Sequence, residues 1–301
     1  MGSTREQLLI LISTPLYLIV IGLEILLSHF QQQKSYTVKD TFTNIYLMLA
    51  NSGIDLLFRV FYFWILAWFY QHSLLTWQTG VLYWCILLLA EDFMYYWLHR
   101  VDHFSRFFWA VHVTHHSSSH FNFTVGFRSS VFEPLYRFIF FIPIAWLGFS
   151  PVNIAFMYSA TQIWGILVHT EKIGRLGWLE YVLVTPSHHK VHHASNPRYL
   201  DKNLGMFLIL WDKLFGTFQA EEDETSYQPI RYGLTKDLEN QGPVNIIFHE
   251  WRSIGQDIGR RELTWKQRVQ YLFGPPGWSH DGSRLTSQEL RREEEQSAPL
   301  S

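Results

Sequence analysis

Long apolar runs restrict the fold of this sequence more than any other feature. The first, over residues 8–27, is interrupted only by Pro15 and Glu24, and about 20 apolar residues are enough to cross a bilayer as a helix. Charged residues make up 17 % of the chain, against roughly 25 % in soluble domains. We therefore expect four or five membrane-spanning helices, the later ones over residues 43–70, 77–98, 133–149 and 152–168.

The first run and the basic residues beside the spans predict an orientation. A cleaved signal peptide is the alternative interpretation of residues 8–27, but neither a basic n-region nor a small-residue cleavage site accompanies the run, which favours an uncleaved anchor. Lys34 and Lys39 follow the first span, and the basic residues after the third span are Arg100, Arg106 and Arg128. By the positive-inside rule, we expect these loops to be cytoplasmic.

Histidines are concentrated in one part of the chain. Eleven of the fifteen lie between His99 and His193, and eight of these form three tight groups. Imidazole nitrogen suits iron, copper, nickel or zinc, and one first-row ion takes about four to six donors, so this number of rings is enough for two ions. The groups are His99 and His103; His112, His115 and His116; and His189, His192 and His193.

The spacing within the groups favours a dinuclear centre over a single ion. His99 and His103 are four residues apart, which places both rings on one face of a helix. His115 and His116 are adjacent and diverge by about 100° on a helix, so they suit neighbouring ions better than one shared ion. The last two histidines of the third group repeat this arrangement.

Ionisable residues inside the predicted spans are expected to face the helix bundle, because they are costly in lipid. Asp92 stands seven residues before His99, on the same helix face, and either orients a ligand imidazole or forms an interhelix hydrogen bond. Asn51, Asp55 and Arg59 form a stripe at four-residue spacing in the second span. We expect an Asp55–Arg59 pair there to be structural.

Several familiar cofactor motifs are missing from the sequence. It contains no dinucleotide-binding glycine motif, phosphate-binding loop or nucleophile elbow, so we expect electrons from a separate electron-donor protein or a small reductant. A single cysteine, Cys85, excludes a disulfide within the chain and argues against an iron–sulfur cluster. A net charge of −2 without a basic stripe argues against a nucleic-acid partner.

Three further segments, taken with the histidine groups, resemble a known family. They are Thr185-Pro-Ser-His-His-Lys-Val-His-His193, Tyr199-Leu-Asp-Lys-Asn203 and Trp211-Asp-Lys-Leu-Phe-Gly-Thr-Phe218. The combination resembles the fatty acid hydroxylase and sterol desaturase superfamily of membrane di-iron enzymes, in particular its alkylglycerol monooxygenase branch and related bacterial proteins, over about residues 44–283. The resemblance implies an all-α integral membrane protein with four to five transmembrane helices and a cytosolic helical cap that carries a histidine-rich dinuclear metal site.

The resemblance also implies a chemistry. Two Fe2+ ions would use O2 to hydroxylate, desaturate or monooxygenate a C–H bond of a lipid, on the cytosolic side of a bacterial inner membrane or the endoplasmic reticulum. Phe104 stands where pterin-using members commonly have a glutamate, so a reduced pterin is one option among several reductants.

The ligand set is a further implication of the resemblance. His188 is left open as a ligand, because the third histidine group already places three ligands within five consecutive residues. The implied metal ligands are His99, His103, His112, His115, His116, His169, His189, His192 and His193.

The same features predict how the chain is organised. We expect an N-terminal anchor helix and loop over residues 1–40, a transmembrane catalytic domain over 41–218, cytosolic or interfacial helices over 219–280 and a disordered tail over 281–301. A zinc-dependent membrane hydrolase is the main alternative function, because imidazole does not distinguish zinc from iron. A metal-binding transporter is a second alternative, although its ligands would be expected inside the spans.

Overall fold

The computed structural model describes residues 4–223 and 225–297 of the chain. Within these ranges the chain forms α-helices and short 3-10 turns and contains no β-strand, which confirms the all-α prediction. The helices are α1 Thr4–Phe30, α2 Val38–Gln71, α3 Val81–Phe104, α4 Arg106–His116, α5 Arg137–Trp146, α6 Pro151–Leu167, α7 Pro186–His192, α8 Leu210–Phe215, α9 Pro243–Ile258, α10 Trp265–Phe273 and α11 Ser287–Ser297.

Three helices in the described ranges are long and apolar enough to cross a membrane, namely α1, α2 and α3. Their outward faces carry large apolar side chains such as Ile10, Leu57 and Leu82, which are 64 %, 76 % and 69 % exposed. Exposed apolar surface on this scale suits contact with lipid, since soluble monomers rarely show large apolar patches. The third helix continues to Phe104, so its last turns project beyond the apolar run and carry the first histidines.

The predicted fourth and fifth spans form a shorter helical hairpin. Helix α5 has 10 residues, which corresponds to about 15 Å, so the continuous span predicted over residues 133–149 is wrong in extent. It begins late because Glu133–Leu135 forms a 3-10 turn that contains Pro134. Gly148, with a φ of 98°, makes the turn into α6, and a Cβ there would lie 2.1 Å from the Leu75 carbonyl oxygen. Only glycine fits this turn.

The α5–α6 hairpin packs against both α2 and α3. At its tip, the backbone N–H of Leu74 donates to the carbonyl of Trp146 (2.8 Å), which ties the hairpin to the α2–α3 connector. At its other end the hairpin approaches the histidine-bearing end of α3. The apolar core between these helices includes Leu66, Leu87, Phe141, Ile144 and Ile154.

Helix α1 is attached to the rest of the protein through a buried carboxylate. Glu24 is 2 % exposed and accepts the backbone N–H of Phe123 at 3.0 Å. The hydroxyls of Tyr36 and Thr170 also donate to it. A buried carboxylate is tolerated only when it is hydrogen-bonded. The residue that interrupts the first apolar run therefore fixes α1 to the segments around the histidines.

The C-terminal helices pack on α4 through a buried arginine. Arg106 is 2 % exposed; its guanidinium donates to Glu250 at 2.6 Å and to Asp257 at 2.7 Å, both on α9. Phe107 and Trp251 add an edge-to-face aromatic contact between the same two helices. Paired and hydrogen-bonded in this way, the buried charges hold α9 against the helix that carries the second histidine group.

The prediction of a disordered tail over residues 281–301 is wrong where α11 forms. Arg291 donates to the carbonyl of Leu200 at 2.6 Å, and Tyr227 donates to Glu294 at 2.7 Å. These contacts order a charged helix that has no buried residue of its own. Residues 298–301 lie outside the described part of the chain.

Candidate metal centre

All nine histidines of the predicted ligand set come together in two neighbouring clusters. Within each cluster, one nitrogen from every ring lies within 4.8 Å of the others. Cluster 1 contains His99, His103, His112, His116 and His192. Cluster 2 contains His115, His169, His189 and His193.

Adjacent histidines go to different clusters, as the helical spacing predicts. On α4, His115 belongs to cluster 2 and His116 to cluster 1. At the end of α7, His192 belongs to cluster 1 and His193 to cluster 2. His169 comes from the segment just after α6, and without it cluster 2 would have only three rings.

Backbone carbonyls fix the orientation of several rings. The Nδ1 atom of His99 lies 2.8 Å from the carbonyl oxygen of Leu204. A carbonyl can only accept, so Nδ1 carries the proton and Nε2 keeps a free lone pair. Equivalent contacts join His115 to the Arg128 carbonyl (2.9 Å), His169 to the Gly165 carbonyl (2.7 Å) and His192 to the Lys202 carbonyl (3.0 Å).

These lone pairs face one another at the spacing of ligands around an ion. The Nε2 atoms of His115 and His169 are 3.4 Å apart, although neither carries a proton to share. The Nε2 atom of His169 is 2.9 Å from that of His189 and 3.1 Å from that of His193. An ion that holds imidazole nitrogens at about 2.0–2.1 Å, the zinc value, separates neighbouring ligands by roughly 2.8–3.4 Å, from octahedral to tetrahedral geometry. The ring geometry therefore fits a first-row metal ion.

Buried nitrogens without a partner support the same fit. Among the described residues, the Nε2 atoms of His103 and His192 are buried and make no hydrogen bond, and both belong to cluster 1. The opposite nitrogen of His103 faces the carboxylate of Asp201 at 3.2 Å, the arrangement that typically orients a metal-bound histidine. Native proteins rarely leave buried polar atoms unpaired, so these atoms point to a ligand.

Burial keeps the rings neutral. Removal from water lowers the pKa of His115 to about 4, with a smaller opposing effect from its hydrogen bond to the Arg128 carbonyl. Burial, followed by the neighbouring histidines, lowers the pKa values of His116 and His193 well below the ordinary value. Neutral imidazole is the form that binds a metal ion, so these rings are ready to bind at pH 7.

Of the two alternatives for Asp92, the structure shows, within the residues it describes, the interhelix hydrogen bond and no contact with an imidazole. Its carboxylate accepts the backbone N–H groups of Phe207 and Leu208 (2.9 and 3.1 Å) and the indole N–H of Trp211 (2.9 Å). Through these bonds Asp92 anchors the segment whose Leu204 carbonyl orients His99. It acts on the backbone that supports the site and does not touch a histidine ring.

Three side chains that contact the Nδ1 atoms of the histidines were not predicted from the sequence to do so. Asp201 faces His103, and Ser130 and Asp102 face the Nδ1 atom of His112 at 3.2 and 3.8 Å. Asp201 lies within the Tyr199–Asn203 segment that carries the family resemblance, so a signal for it was present. Ser130 belongs to an irregular segment with no local pattern, and only the fold brings it to the site.

His188 lies outside both clusters. Its Nδ1 atom faces the backbone N–H of Thr185 at 3.3 Å, and the Thr185 hydroxyl in turn accepts from the His188 backbone N–H. This reciprocal cap starts α7 with Pro186 in its first turn, which is a favourable position for proline. The ring of His188 therefore helps to set the direction in which His189 leaves the turn.

A cavity of about 230 Å³, hereafter the histidine cavity, adjoins both clusters. Asn51 lines this cavity and donates to the carbonyl of Ser130 at 2.6 Å. One turn further along α2, Asp55 and Arg59 form the expected ion pair at 2.6 Å. The histidines that line the cavity are His99, His112, His115, His169 and His189.

Comparison with known proteins identifies relatives of the segment that carries the histidine clusters. The fatty acid hydroxylase family profile matches residues 84–217, which contain both histidine clusters. The chain is 38 % identical to alkylglycerol monooxygenase of Homo sapiens over 202 residues, covering 67 % of this chain and 44 % of that protein. It is 30 % identical to alkylglycerol monooxygenase of Xenopus tropicalis over 283 residues, covering 91 % and 60 %.

A bacterial relative with a different substrate in its name also matches. The chain is 29 % identical to an ornithine lipid hydroxylase of Rhizobium tropici over 199 residues, covering 60 % of each chain. Overall, the chain spans about half the length of the curated relatives it matches. No solved structure matches the chain.

Proposed function

This chain belongs to the fatty acid hydroxylase family, and on that premise we propose that it is an O2-dependent membrane oxidoreductase that acts on a C–H bond of a lipid. The observation that carries the proposal is the pair of buried histidine clusters, whose lone pairs converge beside a cavity at the end of membrane-length helices. When bound, two iron ions supply the O2-dependent oxidation of an unactivated C–H bond, which acid–base side chains alone cannot perform.

The histidines hold the two ions in this proposal, one per cluster. Buried rings of fixed tautomer present Nε2 without rearrangement, which lowers the cost of binding. Asp201 and the carbonyls of Leu204 and Arg128 keep three of the rings in place. The prearranged donors would thus hold one ion in each cluster, beside the histidine cavity.

The walls of the cavity combine apolar and polar groups. Tyr95, Met206 and Ile166 supply apolar surface beside the histidines, and Asn51, Glu133 and Gln162 supply polar groups. The cavity lies at the end of α3 that carries the basic residue Arg100, which we place on the cytosolic side. A separate electron-donor protein or small reductant reaches the site from that side. Helices α1 to α3 cross the membrane, and the α5–α6 hairpin is embedded among them.

Lipid analysis together with metal analysis tests the proposal. Lipid extracts from cells with and without the intact gene are compared by mass spectrometry. A lipid that gains one oxygen atom indicates hydroxylation or monooxygenation, and one that loses two hydrogen atoms indicates desaturation. Protein purified without oxygen should contain iron at two ions per chain, the number of clusters.

A matched pair of variants connects the product to the site. His115→Ala removes a ring of cluster 2 and should abolish the lipid change, whereas His29→Ala alters an exposed histidine at the end of α1 and should not. Stoichiometric zinc combined with turnover in the absence of O2 would instead favour a hydrolase. Survival of the lipid change in His115→Ala would exclude that ring from the metal site.

A further inference from the structure

One short turn orients most of cluster 1. Three of the five rings of this cluster present their Nδ1 atoms to residues 200–204, hereafter the support turn. The pairs are His99 with the Leu204 carbonyl at 2.8 Å, His103 with the Asp201 carboxylate at 3.2 Å and His192 with the Lys202 carbonyl at 3.0 Å. A movement of this one segment would therefore displace three rings of the same cluster together.

The support turn has an unfavourable backbone conformation. Asp201 and Asn203 have φ angles of 55° and 54°, in the left-handed region where residues other than glycine are uncommon. Aspartate and asparagine tolerate this region better than most residues, but such conformations persist only where the surrounding structure holds them. The contacts that hold the support turn therefore also maintain the positions of the rings.

Contacts at both ends hold the support turn. At its C-terminal end, the backbone N–H groups of its last residue and of the next residue donate to the Asp212 carboxylate at 2.7 and 2.8 Å. At its N-terminal end, the guanidinium of Arg291 on α11 donates to the Leu200 carbonyl at 2.6 Å. This carbonyl belongs to the peptide unit that enters Asp201, so Arg291 holds the backbone directly before the residue that faces His103.

Helix α11 is attached to this region by polar contacts, because none of its residues is buried. Besides the Arg291 bond, Glu294 accepts from the Tyr227 hydroxyl at 2.7 Å. The Tyr227 ring packs edge-to-face on Tyr199, the residue before the support turn, with 5.0 Å between the ring centroids. A helix that buries no apolar side chain adds little to the hydrophobic stability of the fold. Its contacts are instead concentrated beside the metal centre.

On the premise that the clusters hold metal ions, we propose that α11 is a positioning element of cluster 1 and that it acts through Arg291. By holding the Leu200 carbonyl, Arg291 keeps the support turn and the three rings on it in the arrangement that one ion requires. Two rings of cluster 2 take their supports from the Arg128 and Gly165 carbonyls, which lie outside this turn. The C-terminal helix thereby controls how tightly one of the two ions is held.

Titration of the metal-free full chain with Co2+, followed by the visible absorption of the bound ion, measures this effect. In the His193→Ala background, which is expected to keep only the ion of cluster 1, the titration reports that cluster alone. Adding Arg291→Ala should weaken Co2+ binding about fivefold, the effect of one lost hydrogen bond. Unchanged affinity would overturn the proposal.

Arg292→Ala is the matched control for Arg291→Ala. It removes the same charge from the next residue of α11, whose side chain is exposed, so Co2+ affinity should change less than about twofold. Equal effects of the two substitutions would show that the charge of the helix matters and that the contact with Leu200 does not, which overturns the role of Arg291.

The second ion provides an internal comparison. In the chain that keeps all nine histidines, Arg291→Ala should weaken one of the two binding steps and leave the other unchanged. Weakening of both steps by the same factor would indicate a general disturbance of the protein and would overturn the assignment of α11 to cluster 1.

Hydrogen exchange of the metal-free protein tests the mechanical link without any ion. Arg291→Ala should speed exchange of the hydrogen-bonded backbone amides of Asn203 and Leu204 about fivefold, whereas the amide of His169 should exchange as before. Arg292→Ala should change neither. Unchanged exchange in the support turn of Arg291→Ala would show that α11 does not hold it.

These readouts separate the inference from the proposed function, because neither requires turnover. A chain that shows both effects of Arg291→Ala but never oxidises a lipid contradicts the proposed function alone. A chain that oxidises a lipid and binds both ions equally well with and without the Arg291 side chain contradicts the role of α11 alone.

Discussion

The two histidine clusters differ in number of rings and in how those rings are supported. Cluster 1 has five rings, all carried by α3, α4 and α7, and one of them is supported by the Asp201 carboxylate. Cluster 2 has four rings, including His169 from the segment after α6. In the described part of the chain, its hydrogen bonds to Nδ1 come from the carbonyls of Arg128 and Gly165.

The clusters also differ in how they face the cavity. Three of the four rings of cluster 2 line the histidine cavity, against two of the five rings of cluster 1. A first-row ion with fewer protein donors has more room for a reactant. If the proposed function is correct, we expect cluster 2 to be closer to the substrate and more sensitive to the loss of a ring than cluster 1.

The largest expected effect comes from removing one ring from each cluster in turn. His193→Ala leaves three rings in cluster 2, and His103→Ala leaves four in cluster 1; neither residue lines the cavity, so access for the lipid is unchanged. We expect His193→Ala to lower activity by more than about 100-fold and His103→Ala by about tenfold, since even indirect supports of a metal ligand are typically worth 10–100-fold. Product formation and bound metal per chain measure the difference.

The stoichiometry of bound metal checks this prediction. His193→Ala should retain close to one ion per chain, whereas His103→Ala should retain close to two, which is the number of clusters. Identical losses of metal in the two variants would show that the fifth ring of cluster 1 does not help this cluster to keep its ion when one ring is removed.

Acidification is expected to weaken the fold before the metal leaves. Burial lowers the pKa of all four rings of cluster 2, that of His115 to about 4, so the folded protein keeps them neutral while the unfolded chain gains protons below about pH 6.5. Their contribution to stability is therefore complete above pH 6.5. It falls by about 1.4 kcal/mol per pH unit for each such ring as the pH decreases toward the folded pKa.

Thermal unfolding and metal content, measured from pH 7 to pH 4, separate these two events. The melting temperature of the metal-free protein should begin to fall below about pH 6.5. Bound metal should persist to well below pH 6.5, because burial lowers the pKa of His115 to about 4 in the metal-free protein and a proton must also displace the ion from the ring nitrogen. Loss of metal that follows an ordinary histidine titration near pH 6.5 would contradict the buried environment of cluster 2.

The division of rings between the clusters could be predicted from spacing alone. His115 and His116 diverge on α4 whatever the tertiary structure, so adjacent rings were expected to serve different ions, and the structure divides them accordingly. The apolar runs likewise predicted α2 and α3, although with shifted ends. Local periodicity is sufficient for such features, because each depends on one helix.

Features that depend on distant segments were not predictable in this way. Helix spacing left Asp92 with two alternatives, an imidazole on the same helix face or an interhelix hydrogen bond. The tertiary structure decides between them, because the segment after α7 returns to α3 and its Phe207 and Leu208 N–H groups donate to the carboxylate. The length of α5 was overestimated because the 3-10 turn Glu133–Leu135, which contains Pro134, delays the start of the helix to Arg137. The helix α11 forms because Arg291 finds a carbonyl partner outside its own segment.

The support of His103 gives a smaller expected effect, confined to cluster 1. Asp201→Ala removes the carboxylate that faces the Nδ1 atom of His103, which should lower metal affinity at cluster 1 by no more than about tenfold, the effect expected for loss of the His103 ring itself, and leave cluster 2 occupied. Asp201→Asn keeps an oxygen acceptor and should recover most of the affinity. Metal titration of the metal-free variants measures both, and a loss of the ion from cluster 2 would show that the two clusters do not bind independently.

The smallest expected effect tests how tightly cluster 2 is packed. A Cβ added at Gly126 would lie 3.1 Å from the Cα of Ile166 and 3.2 Å from the Nδ1 atom of His169, so Gly126→Ala should displace that ring by a few tenths of an ångström. We expect activity to fall about two- to fivefold with both ions retained, because misplaced groups slow chemistry before they abolish binding. Gly255→Ala on α9 is the control, since a Cβ there meets nothing within 4 Å and alanine favours the helix by up to about 1 kcal/mol. If Gly126→Ala were as active as the control, the His169 ring could move without loss of activity, which would contradict the tight packing of cluster 2.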